Sequence, residues 1–120
     1  MAANAPNESS DEDTRVWIGR VEAGHEAEHE QFVAWLNGDE AHEIFRRRRL
    51  NEYVLSQDDG QVTIVFKAPH TGDPRLMIDV LRYPGLWPDF WSFERGGRAE
   101  DEPPPTMPES SIKVRWRRDG

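Results

Sequence analysis

NEYVLSQDDGQVTIVFKA, residues 51–68, decides the fold. Two runs rich in β-branched and aromatic residues flank the tight-turn signature DDG at 58–60. A connection this short joins antiparallel neighbours, so 51–57 and 61–68 read as a hairpin. The second run alternates. Val62, Ile64 and Phe66 fall on one side, and Thr63, Val65 and Lys67 on the other.

Upstream, RVWIGRVE (15–22) reads as a strand that ends at Gly24. HEAEHEQFVAWLN (25–37) then places Phe32, Trp35 and Leu36 at helical spacing, with Gly38 in the position that stops a helix. Asp39 caps a second, short helix, EAHEIFRRRRL, with Ala41, Ile44 and Phe45 inward. Its arginines at 46–49 suit the negative end of the helix dipole.

Downstream, Asp73-Pro74 opens a helix in which Leu76, Met77, Val80 and Leu81 form one stripe, and Pro84-Gly85 stops it. Residues 96–111 are a long polar loop with a polyproline centre. SIKVRWR (111–117) alternates Ile112, Val114 and Trp116 with Lys113, Arg115 and Arg117, a half-buried last strand.

The element order is β-α-β-β-α-β. It predicts an α+β, ferredoxin-like domain over 15–118: a four-stranded antiparallel sheet with helices on one face and an extra short helix after each main helix. The acidic residues 1–14 read as a disordered tail. The second sheet face is mixed, apolar and cationic, and meets either solvent or a second sheet.

YPGLWPDFWSFERGG (83–97) carries the greatest density of aromatic side chains. Pro88 can begin a helix and Gly96 can end one, so 88–95 reads as two helical turns. Phe90 and Phe93 then share one face, directed to the core. Trp87 and Trp91 are surplus to it, because the apolar arc is wider than the ~100° stripe of a surface helix. Their cover is the chain's own core, a partner subunit or a ligand.

Taken together, the strand and helix order, the opening VEAGHEAEHEQFVAWLNG (21–38) and the Trp-rich segment before a long loop and last strand resemble the dimeric α/β-barrel proteins. That resemblance implies a homodimer packed sheet to sheet, with a pocket between sheet and helices or at the barrel mouth. It implies a small-molecule ligand without a cofactor. As alternatives it implies a cofactor-independent monooxygenase or isomerase.

The chain has no cysteine, which removes disulfides, thiolate metal sites and thiol nucleophiles. Its net charge is −8, which argues against nucleic-acid binding. No apolar run reaches the ~18 residues of a membrane span, and the N-terminus has no signal-peptide pattern. A soluble cytoplasmic protein is the expectation. The 13 arginines against Lys67 and Lys113 alone fit either a salt-rich cytoplasm or a GC-rich genome.

HEAEH (25–29) matches the H-E-x-x-H pattern in which two histidines hold zinc and the glutamate activates water. His25 and His29 share the inward face with Phe32 and Leu36. Even so, no third ligand is evident, and glutamates at a helix start are ordinary. A zinc hydrolase using His25, Glu26 and His29 is therefore the remote reading. The favoured ligand-binding candidates are Trp87 and Trp91, His70 after the third strand, and a positive patch of Lys67, Lys113 and Arg115. The remaining alternative is a protein-interaction module built on the Trp-rich helix.

Overall fold

A computed structural model describes residues 12–69, 87–101 and 103–118. The described chain runs β1 (Glu12–Val21), α1 (Glu26–Leu36), α2 (Asp39–Arg47), β2 (Glu52–Asp58), β3 (Gln61–Pro69), β4 (Trp91–Arg98), a 3₁₀ turn (Glu109–Ser111) and β5 (Ile112–Arg117). The five strands form one sheet in the order β4-β1-β3-β2-β5, antiparallel throughout. It is a small α+β fold.

The hairpin is where the sequence puts it. Asp58 pairs with Gln61, and the two turn residues Asp59 and Gly60 both have positive φ, 53° and 83°. That is the twist-matched form of a two-residue turn. Strand β3 lies between β1 and β2, which run in the same direction, with α1 and α2 making the crossover. α2 ends on Arg49 at φ 63°, and the Leu50 N–H returns to the Phe45 carbonyl at 3.0 Å, closing the last turn.

The ferredoxin-like, four-stranded reading is corrected. The sheet has five strands, and the two helices described both lie between β1 and β2. The stretch 88–95 is not a helix. Pro88 opens a turn closed by the Trp91 N–H on the Pro88 carbonyl at 3.2 Å, and the chain continues as β4 against β1. Two helical turns alone satisfy few backbone groups. The edge of β1 offers the same residues a full ladder, and aromatic side chains suit a pleated surface. The helix read over 74–83 lies outside the described residues, as does most of the acidic tail. Strand β1 itself begins at Glu12, inside the segment read as that tail.

One face of the sheet holds the main core. Trp17, Tyr53, Leu55, Val62, Ile64, Phe66, Val114 and Trp116 pack there against Leu36, Ala41 and Phe45 of the helices. The centre of the other face is also buried: Val16, Ile18, Val54, Ser56 and Thr63 are each at most 9% exposed. β4 and β5 are opposite edges of the sheet, so the chain linking them must cross it. Pro105, Thr106 and Pro108 line a cavity of about 90 Å³ with Ser56 and Thr63, which puts the proline-rich segment over this second face. The centre of the mixed face, which the dimeric-barrel resemblance leaves open to a second sheet, is therefore covered by this chain.

Candidate functional site

The HEAEH segment separates into unlike parts. Glu26 folds back to accept the Gly24 N–H at 3.4 Å, a helix-start contact. His25 is half-exposed. Its Nδ1 lies 2.8 Å from Glu28 Oε1, and its ring stacks on Phe90, 5.7 Å between centroids and 9° from parallel. His29, one turn on, faces inward and is 2% exposed. Both of its nitrogens are engaged: Trp91 Nε1 donates to Nδ1 at 3.0 Å, and Nε2 lies 2.6 Å from Gln57 Oε1. Among the described residues no group of three His, Asp or Glu side chains is placed to hold a metal.

Each member of this chain of hydrogen bonds is placed by a different element. Helical spacing turns His29 toward the sheet. Strand β2 presents Gln57 on the helix-facing side, opposite Val62. Strand β4 begins at Trp91, which pairs with Val21 and is 3% exposed. Around it stand Phe32, edge-on at 5.1 Å, and Trp87 at 5.2 Å. The expected division of the aromatic stretch is thus reversed. Trp91 is core, Trp87 is half-buried against Trp17, and Phe93 is 45% exposed. In a strand Trp91 and Phe93 share a face, and it is the edge position of β4 that leaves Phe93 uncovered.

His29 and Gln57 form the floor of an open cleft of about 600 Å³. Glu30, Val33 and Ala34 of α1 make one wall. Asp58 and Asp59, at the β2–β3 turn, make the opposite one. Lys113 completes the rim. It reaches this side through a bulge: Leu55 pairs with Val114 and Ser56 with Ile112, so Lys113 is the extra residue of β5. Its carbonyl accepts the Asn37 side-chain N–H at 3.1 Å, tying the bulge to the end of α1.

The three cations read as one patch are not brought together. Lys67 sits 3.4 Å from Glu52, which also meets Arg117 at 3.4 Å. Arg115 makes a two-pronged contact with Glu109, at 2.7 and 3.3 Å. That hydrogen bond, with the charge of the same carboxylate, raises the guanidinium above its ordinary value. Only Lys113 stands at the cleft. His70 lies outside the described residues. Gln57, Asp58, Asp59 and Glu30 were not singled out by the sequence. The DDG signature explained Asp58 and Asp59 fully as turn residues, and the inward setting of His29 was the one available pointer.

No helix among the described residues is long and apolar enough to cross a membrane. No family model, no curated protein and no solved structure matches the chain.

Proposed function

We propose that this chain binds a small polar molecule in the cleft between α1 and the β2–β3 turn. The observation that carries this reading is the floor of the cleft: a buried imidazole, held between Trp91 and Gln57, beneath about 600 Å³ of open space. Small-molecule sites occupy ~300–1,000 Å³ and combine apolar walls with a few fixed polar groups. Val33 and Ala34 provide the apolar surface here, and Gln57 and Lys113 the polar groups. The engagement of both imidazole nitrogens favours binding over acid–base catalysis by His29.

A sheet-to-sheet homodimer has less support, because Val16, Ile18 and Val54 are already buried without a second copy. Among the described residues a protein-docking role rests on Phe93 alone, since Trp87 and Trp91 are largely covered by their own chain. The test is ¹⁵N–¹H NMR of the protein against a library of small polar fragments. Shifts grouped on the Gln57 side-chain amide and the Val33, Ala34, Asp58 and Asp59 amides support the cleft. Fragments that shift only residues elsewhere, or none at all, overturn it.

A further inference from the structure

We infer that the cleft selects a zwitterion, with an anionic group held by Gln57 and Lys113 and a cationic group held by Asp59 and Glu30. The inference rests on the cleft being a binding site and adds the class of ligand.

The hydrogen bonds beneath the cleft have only one consistent direction. An indole N–H can donate but never accept. His29 Nδ1, 3.0 Å from Trp91 Nε1, must therefore carry a lone pair. The proton of the neutral imidazole is then on Nε2, which donates to the Gln57 oxygen at 2.6 Å. This fixes the amide of Gln57: its oxygen is used below, and its NH₂ remains for the cleft. Among the described residues no acceptor meets that NH₂ and no carboxylate forms an ion pair with Lys113. Trp91, buried and 62 residues from His29 in sequence, thus determines that Gln57 offers donors rather than an acceptor.

The cleft therefore presents two donor groups, one of them an ammonium, on the β2–β5 side. It presents two carboxylates, of Asp59 on the β2–β3 turn and of Glu30 on the outer wall of α1. A purely anionic ligand suits the first set and is repelled by the second. A purely cationic one leaves the Gln57 NH₂ without a partner and adds a like charge beside Lys113. A molecule with both groups, separated by a short frame that lies along Val33 and Ala34, satisfies each set. The volume admits a dipeptide-sized frame.

The test uses three probes of one frame on the intact chain, read by ¹⁵N–¹H NMR: glycyl-leucine, its C-terminal amide and its N-acetyl derivative. Hydrogen bonds to charged groups are individually strong, so loss of either charge is expected to weaken binding by roughly tenfold or more. In Gln57→Glu the carboxylate still accepts from His29, but the donors are gone. This variant is expected to reverse the order and favour the C-terminal amide, with the Trp91 indole resonance unmoved as the sign that the floor is intact. Equal binding of the amide or acetyl form, or an unchanged order in Gln57→Glu, overturns the zwitterion. If none of the three probes shifts cleft residues while other fragments do, the ligand class falls and the site stands. If nothing shifts them, both fall.

Discussion

Gly19→Ala tests the five-stranded sheet through the sign of its effect. Gly19 lies on β1 opposite Phe93 of β4. A methyl group there would stand 2.5 Å from the Ser92 carbonyl oxygen and 2.9 Å from Cη2 of Trp87. The first contact is backbone, so relief requires β4 to move away from β1, and the second requires Trp87 to leave Trp17. Overpacking of this kind costs about 1–3 kcal/mol. If 88–95 were instead a helix away from this edge, the same change would replace a strand glycine in open space and gain about 0.5–1 kcal/mol of backbone entropy. The two arrangements predict opposite signs. Urea unfolding followed by tryptophan fluorescence measures it. The expected result is a lower midpoint at unchanged slope, with a melting temperature about 4–8 °C lower for each kcal/mol lost. An unchanged or raised midpoint would refute the packing of β4 on Gly19, and with it the register of that edge.

Four further outcomes can be measured. Trp91→Phe removes the indole donor to a buried imidazole nitrogen and should cost about 1–3 kcal/mol; in the intact protein ¹⁵N shifts should show His29 protonated at Nε2, and a proton on Nδ1 would contradict the bond. Tyr53 is fully buried with no hydrogen-bond partner for its hydroxyl among the described residues, so Tyr53→Phe should be neutral or stabilise by about 1 kcal/mol, and a clear loss of stability would mean a missed partner. Burial also raises the Tyr53 phenol well above its usual value of about 10. The unfolded chain therefore ionises first: stability holds below about pH 10 and declines as pH rises further, which urea midpoints from pH 9 to 12 would show, a flat profile opposing it. With a net charge of −8, the melting temperature should rise between low and ~1 M potassium chloride as repulsion is screened, and an indifferent curve would mean the charges are already compensated.

What could be read without the structure divides by the range of the interactions involved. The β2–β3 hairpin, α1 and α2 rest on local signals: an Asp-Gly turn, strict alternation in Val62 to Phe66, and the helical spacing of Phe32, Trp35 and Leu36. The same spacing turned His29 inward correctly. PDFWSFER was different because it satisfies two periods at once. Phe90 and Phe93 are three apart, as on a helix, while Trp91 and Phe93 are two apart, as on a strand. What decides between them is the open edge of β1, more than 70 residues earlier in the chain, and no local window contains it. The mixed second face was legible as alternation, but not the passage of residues 103–108 across it, because a proline-rich polar loop carries no sign of where it lies.

The misread aromatic stretch and the HEAEH pattern meet at one contact. Once 91–98 is a strand, Trp91 is carried over α1 and its indole N–H meets His29. The histidine that completes a metal-binding pattern in one dimension then has no free nitrogen in three. Its lone pair takes the Trp91 proton and its own N–H goes to Gln57. A ligating imidazole would have to break one of two buried hydrogen bonds, each costly to leave unmade. A helix at 88–95 would have sent Trp91 elsewhere and left His29 Nδ1 without this donor. The strand assignment, the tautomer of His29 and the donor face of Gln57 are therefore one structural fact, and a measurement that overturns the first removes the basis of the other two.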